Sequence, residues 1–406
     1  MSKKESPARP PAPRRPAAAA LALFAVAAPG LEPIVQQELE QLGLRAEATT
    51  GGVAFGGSER DLYRANLHLR TPSRVLLRLG EFYAATFSEL RAKGSRLAWA
   101  SYLRPGQPVT IKATCHKSKL YHSDAVAERV AGAIADRLGQ AVVRVKGSDE
   151  TDDADGGEPT GAAPALVIVR LVHDMCTISL DTSGALLHQR GYRLATAKAP
   201  LRETLAAAML LASGWDRATP LLDPFCGAGT LPIEAALLAL NLAPGRARRF
   251  GFMDWPGFQP ELWQTLLAEA NAARRQTAPP ILGSDRDAGA IEAAVANAQR
   301  AGVAEHIQFE RRAVSALEAP PGLGWVVTNP PYGVRVKESG DLRNLYAQFG
   351  KTLRARCPGW RVAVLAGDSR LARASGLRFD DRRSLKLVNG GLRVTLMQGE
   401  IDSSGQ

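Results

Sequence analysis

Apolar residues recur along this chain at two spacings, and each change of spacing marks an element boundary. In "LALFAVAAPGLEPIVQQELEQLG" an apolar run ends at Pro29 and Gly30, after which Leu31, Ile34, Val35, Leu39 and Leu42 share one helical face. The pattern predicts a short strand, a tight turn and an amphipathic helix over about residues 31–42. Strands are then expected at "GGVAFGG", "SRVLLRLGEFYA" and "QPVTIKATC", with helices over 58–67 and 123–138. An acidic, glycine-rich stretch at 147–162 reads as a solvated loop; "ALVIVRLVH" and "CTISLDTSG" follow as strands turning at Asp174 and Met175. Mixed elements without a strict repeat predict an α+β region.

From Pro200 the pattern becomes a helix followed by strand and helix in alternation, which predicts a doubly wound parallel sheet. A helix over 201–212 leads into a strand at 221–223, and "DPFCGAGTLPIEAALLAL" turns directly into a helix. "PPILGSDRDAGAIEAAVANAQRAG", "HIQFERRAV", "GWVVTNPPYG" and "GWRVAVLAGD" continue the alternation. The chain closes on "SLKLVNGGLRVTLMQG", a hairpin with Asn389 and Gly390 at its tip. An antiparallel last pair on a parallel sheet suits a methyltransferase better than a dinucleotide dehydrogenase.

The 406 residues allow two or three domains, and a formal charge of +11 favours a polyanionic partner, nucleic acid first, over an acidic protein surface. A solvated positive face is the rival reading. Cys115, Cys176, Cys226 and Cys357 form no CxxC pair and the six histidines are scattered, so neither metal nor disulfide framework is expected and a reducing, cytoplasmic compartment is. Arg14 and Arg15 before the apolar run 17–28 resemble a secretory signal, but cleavage would strip the 31–42 helix of its strand. No run approaches the roughly 18 apolar residues of a membrane span. Residues 1–16, rich in Pro, Arg and Lys, read as a disordered basic tail.

Candidate chemistry sits in the second half. In "DPFCGAGT", Gly227 and Gly229 allow a sharp turn and close approach of a ligand between a strand and a helix. Pro232 takes the place of the third glycine of a dinucleotide fingerprint, which favours a smaller adenosine ligand. Asp223 is expected at the amino acid end of S-adenosylmethionine, directly or through water, or else as a cap for the turn. In "GSDRD", Asp285 is placed to bind ribose hydroxyls and Asp287 to cap the next helix. Residues 241–279 read as an insertion near the active-site mouth. There Arg246, Arg248 and Arg249 alternate with Phe250, Phe252, Trp255, Phe258 and Trp263, either to stack on unpaired RNA bases or to form a satellite core.

"TNPPYG" ends a buried strand with two prolines. If the Asn329 side-chain oxygen and the Pro330 carbonyl accept the N–H bonds of an exocyclic amine, its lone pair is aimed at a methyl donor. Pro330 and Pro331 stiffen the loop, and Tyr332 offers a ring to stack on an extruded base. A plain turn ending a strand is the alternative.

Together "LDPFCGAGTLPIEAA", "GSDRDAGAIEAAVANAQRAG" and "VVTNPPYGVRV" resemble motifs I, II and IV of class I S-adenosylmethionine-dependent methyltransferases of the amino-methylating branch. "LDTSGALLHQRGYRLATAKAPLRETLAAAML" resembles the junction of a THUMP domain with its catalytic domain in bacterial 23S ribosomal RNA guanine-N2 methyltransferases. The resemblance implies an α/β Rossmann-like seven-stranded methyltransferase sheet with an antiparallel last strand. It implies a ferredoxin-like segment over 17–65, a THUMP RNA-binding region over 66–183 and a catalytic domain over 184–401. It puts Asp223, Phe225, Cys226, Gly227, Gly229, Thr230 and Asp285 around S-adenosylmethionine, and Asn329, Pro330 and Tyr332 around a guanine. The expected partner is RNA, ribosomal or transfer, with no membrane and no metal. Protein glutamine N5-methylation and a non-catalytic RNA-binding role are the alternatives. Two departures stand out: a single methyltransferase half, so that one modification is expected, and Ala313 where the family often has an acidic residue near the adenine.

Overall fold

The computed structural model describes residues 20–145, 164–193, 201–332, 339–389 and 391–402; the predicted tail, the acidic loop, Gly333 and Gly390 lie outside them. The apolar run at the start is strand β1 (Leu21–Val26), followed by α1 (Glu32–Gln41), β2 (Ala46–Thr49), β3 (Gly52–Gly57) and α2 (Glu59–His68). Ser58 caps α2 by accepting from Asp61 N, while the Asp61 carboxylate accepts from Ser58 N, a reciprocal box that fixes where the helix starts. Then come β4 (Arg74–Tyr83), α3 (Phe87–Gly94), β5 (Val109–His116), α4 (Ser123–Leu138), β6 (Ala165–Val172) and β7 (Met175–Asp181).

These strands form one sheet in the order β2-β3-β1-β4-β7-β6-β5. β4 is ten residues long and pairs with β1 at one end and with β7 along the rest, so it carries the sheet across both N-terminal segments. The turn between β6 and β7 falls one residue earlier than the sequence suggested. His173 and Asp174 both have positive φ, the conformation a two-residue hairpin needs to match strand twist, and Met175 already pairs with Val172.

The second half contains α5 (Glu203–Ser213), β8 (Leu221–Asp223), α6 (Thr230–Ala239), α7 (Pro260–Ala272), β9 (Ile281–Asp285), α8 (Ala288–Ala301), β10 (Gln308–Arg311) and β11 (Trp325–Thr328). It closes with α9 (Ser339–Arg356), β12 (Arg361–Ala366), α10 (Ser369–Ala374), β13 (Arg378–Phe379), β14 (Leu385–Asn389) and β15 (Leu392–Glu400). The sheet order is β10-β9-β8-β11-β12-β15, with β13 and β14 sharing the far side of β15. The first five strands are parallel and β15 is antiparallel to β12, as the alternation and the closing hairpin predicted. Every residue of α6 is buried, so apart from Thr230 and Glu234 this helix is apolar on every face rather than striped. The parallel sheet covers one side of it; beyond its C-terminal end the buried Arg70 donates to the carbonyl of Leu242 at 2.6 Å, and Tyr192 donates to Glu234 within the helix at 3.0 Å.

The insertion at 241–279 lies elsewhere than expected. It leaves the C-terminal end of α6 and returns to the N-terminal end of β9, which puts it at the opposite edge of the sheet from the strand ends that carry Asp223 and Asp285. Its aromatics are core. Phe250, Phe252, Trp255 and Trp263 are buried; Phe252 stacks on Tyr63 of α2 at 4.3 Å and on Phe250 at 5.4 Å. Arg248 turns inward as well and donates to the carbonyls of Leu186 and Ala185. The apolar faces that suggested base stacking are used to join the two halves, with Tyr63 of α2 packed against Phe252, Phe258 and Trp263 of the insertion.

Candidate active site

Three neighbouring strands end at one edge of the parallel sheet and bring the predicted site residues together. β8 ends at Asp223, β9 at Asp285 and β11 at Thr328, in parallel register. The glycine turn follows β8: Cys226 N donates to Ser284 O at 3.0 Å, Gly227 N to the Asp285 carboxylate at 3.1 Å, and Asn297 of α8 holds the Ala228 carbonyl at 3.0 Å. Asp287 accepts from Gly289 N and Ala290 N and caps α8 as expected. Strand pairing therefore brings the turn and the "NPPY" loop to the same edge.

Between them lies a cavity of about 520 Å³. Phe225, Cys226, Gly227, Thr230 and Asp285 line one side, and Asn329, Pro330, Pro331 and Tyr332 the other. Ala313, Val314 and Ser315 close a third; nearby Glu310 is tied to Arg312 at 2.7 Å. Asp223 and Gly229 are not among the lining residues. Asp223 is 1% exposed and accepts at Oδ1 from Thr328 Oγ1 at 2.6 Å and from Phe225 N at 3.1 Å, the turn-capping arrangement that the sequence left open. Gly229, at φ +84°, is needed for packing: a Cβ there would lie 2.9 Å from Ala294 Cβ and 3.0 Å from Phe309 Cζ. Gly227, at φ +51°, has open space where its Cβ would be.

Electrostatically the two carboxylates differ. Burial raises the Asp223 carboxyl to about 7, offset in part by its bonds from Thr328 and Phe225 and pushed further by the charge of Asp285. Asp285 is half-buried, accepts from Gly227 N and Asp287 N, and faces the cavity. Burial, with both carboxylates nearby, pushes the Cys226 thiol well up, so it stays protonated and is no nucleophile.

On the opposite side the Asn329 side-chain oxygen is buried and has no hydrogen-bond partner among the described residues. An orphaned acceptor in a cavity wall costs free energy unless a donor arrives from the cavity. Tyr332 is half-buried; its hydroxyl accepts from Asn389 Nδ2 at 2.9 Å, and Tyr346 donates to the Pro331 carbonyl at 3.4 Å. Leu201, Arg286, Leu345, Gln348 and Asn389 also line the cavity and were not singled out from sequence. Only the Asn-Gly turn hinted at one of them, by marking a hairpin tip without saying what it reaches.

A family model for an RMKL-like methyltransferase domain matches residues 190–398, one for an RlmL ferredoxin-like domain residues 22–76 and one for a THUMP domain residues 84–181. The chain is similar to "Ribosomal RNA large subunit methyltransferase K/L" of Syntrophotalea carbinolica, 39% identical over 94% of this chain and 54% of that protein. It is similar to the protein of the same name in Methylococcus capsulatus at 38%, over 93% of this chain and 51% of that one, so it spans about half the length of these two relatives. With "Putative RNA methyltransferase slr0064" of Synechocystis sp. the match is 37% over 93% of this chain and 96% of the relative. Among solved structures, "SMU.472, a putative methyltransferase complexed with SAH" superposes with a TM-score of 0.82 at 31% identity, covering 93% of this chain and 97% of that one. A "predicted N6-adenine-specific DNA methylase" from Listeria monocytogenes superposes at 0.82 with 35% identity, covering 93% and 96%.

Proposed function

This chain belongs to the RMKL-like methyltransferase family, and we propose that it transfers a methyl group from S-adenosylmethionine to the exocyclic N2 of a guanine in structured RNA, 23S ribosomal RNA foremost and transfer RNA second. The observation that carries the reading is the Asn329 oxygen, unpartnered among the described residues, facing the glycine turn and Asp285 across one cavity. The residues present fit the cofactor. Gly227 leaves open space beside the cavity, and Asp285 presents a carboxylate to ribose hydroxyls, with Phe225, Cys226 and Thr230 completing that side. Asp223 contributes at one remove, by holding the turn through Phe225 N and the opposite loop through Thr328.

When bound, S-adenosylmethionine supplies an electrophilic methyl on a positively charged sulfur. Asn329 Oδ1 and the Pro330 carbonyl accept the two N–H bonds of the amine and orient its lone pair. Tyr332 stacks on the base, and the two prolines hold the loop so that little ordering remains to be done on binding. Alignment is the main task, because the methyl donor is positively charged and its leaving group a neutral thioether, and the surplus proton of the methylated amine passes to solvent. The basic balance of +11 and the THUMP-matched region favour RNA over a protein glutamine, and a cytoplasmic location beside that RNA belongs to the same reading.

The test is mass spectrometry of nucleosides from 23S rRNA and tRNA incubated with the protein and S-adenosylmethionine. N2-methylguanosine is expected with wild type, and at least about a hundredfold less with Asn329→Ala, whose S-adenosylhomocysteine affinity stays unchanged. Methylation of adenine N6 or of a protein glutamine instead, or cofactor binding without any methylated nucleoside, overturns the reading.

A further inference from the structure

The β14–β15 hairpin carries none of the methyltransferase motifs, yet its tip reaches the cavity. Asn389 is the last residue of β14, paired with Leu392 across the turn, and it both lines the cavity and donates through Nδ2 to the Tyr332 hydroxyl at 2.9 Å. Tyr332 is held from a second direction. Its ring lies so close to Gly367, the residue after β12, that a Cβ there would meet ring Cδ2 at 2.5 Å. Two elements later in the chain thus grip one side chain, the hairpin tip by its hydroxyl and the end of β12 by its ring.

We propose that Asn389 is a positioning residue for methyl transfer, which fixes the Tyr332 ring at the orientation in which it meets the substrate base. The prolines of the loop restrain its backbone but leave the tyrosine free to turn about its own side-chain bonds. A half-buried aromatic at a cavity wall would lose that freedom only when the base arrives, weakening the alignment on which the rate depends. The Asn389 bond removes the freedom beforehand. Because Asn389 is the donor, the Tyr332 hydroxyl keeps its own proton for an acceptor in the cavity. Gly367 makes the arrangement possible, since any side chain there would displace the ring. This inference rests on the reading of Tyr332 as the base-stacking residue.

The experiment is a double-mutant cycle with Asn389→Ala, Tyr332→Phe and the pair, measuring single-turnover RNA methylation and S-adenosylhomocysteine affinity. Each single variant is expected to lower kcat about tenfold, the loss of one hydrogen bond, and the pair to be no worse than either. Cofactor affinity stays within about twofold, as damage to the fold would not allow. The same four proteins, unliganded, are compared by chemical denaturation, where the bond appears as a coupling between the two sites. Additive losses in kcat, or a rise in KM for RNA with kcat unchanged, overturn the role of Asn389. A wild-type protein that binds cofactor but leaves guanine unmodified overturns the functional reading itself, so the two failures are distinct.

Discussion

Thr328 Oγ1 donates a 2.6 Å hydrogen bond to Oδ1 of Asp223, and this bond ties together the two loops that face each other across the cavity. Asp223 ends β8 before the glycine turn, and Thr328 ends β11 one residue before Asn329. Strand pairing brings the loops to the same edge; the Thr328 bond sets how their ends meet. The carboxylate is thereby committed to the protein's own frame, with burial holding its pKa near 7.

A pH dependence follows. The folded carboxyl binds its proton at about 7, against 3.8 for the free group, so its contribution to stability is whole below about pH 4 and is lost as pH rises through 7. Asp223→Asn removes that slope: the stability of the variant relative to wild type should improve steadily between pH 4 and 8 in urea denaturation. Thr328→Val acts the other way. It deprives the charged form of a donor, so its cost of about 1–3 kcal/mol should be larger at pH 8.5 than at pH 5.5. A pH-independent difference for both variants would mean that Asp223 titrates normally.

The two glycines of the turn are distinguishable by stability. Gly227→Ala meets no neighbour and pays only for a left-handed backbone, about 1–2 kcal/mol. Gly229→Ala pays the same and also collides with Ala294 and Phe309, which belong to the interior of α8 and β10, so a further 1–3 kcal/mol or so is expected. Thermal denaturation without ligand should rank Gly229→Ala clearly below Gly227→Ala. The reverse order would place the tight approach at the cavity instead.

Much of this architecture is legible in the residue pattern. Alternation from Pro200 onward specifies a parallel sheet, and Asp285, Asn329 and the glycine turn are placed at strand ends by that alternation alone, because side chains at the ends of parallel strands share one edge. What the pattern lacks is partner information. Phe252 and Trp263 are as suited to a base as to Tyr63, and nothing local states that α2, far back in the chain, supplies the cover. Asn389 reaches Tyr332 over a separation of 57 residues that no periodicity encodes. The role of Asp223 was ambiguous for the same reason, since its cap on Phe225 is local but its bond to Thr328 is not.

Phe252 offers a direct comparison of the two uses of an aromatic. It is fully buried between Tyr63 and Phe250, so Phe252→Ala should cost about 3–5 kcal/mol through lost packing and a residual cavity. RNA affinity of the folded fraction should be unchanged, as measured by filter binding at a temperature well below the transition. A selective loss of RNA binding with little loss of stability would restore the base-stacking reading of the insertion.

The junction between the halves is held by a buried ionic group rather than by apolar contact alone. Glu234, on the fully buried helix α6, lies 2.9 Å from Arg190 Nε and accepts from the Tyr192 hydroxyl at 3.0 Å. Arg190 also donates to the Arg70 carbonyl at 2.8 Å, and Arg300 of α8 to the Tyr192 carbonyl at 2.7 Å. Burial and the charge of Glu234 keep the Tyr192 hydroxyl protonated and therefore able to donate. Removing one charge strands the other in a site that water does not reach, a loss of about 3–5 kcal/mol, whereas replacing both charges by apolar groups of similar size is close to neutral. Glu234→Gln should therefore lower the transition temperature far more than the pair Glu234→Leu with Arg190→Met. Equal destabilisation by the single and the double variant would show instead that the space these side chains fill, and not their charge pairing, holds the junction.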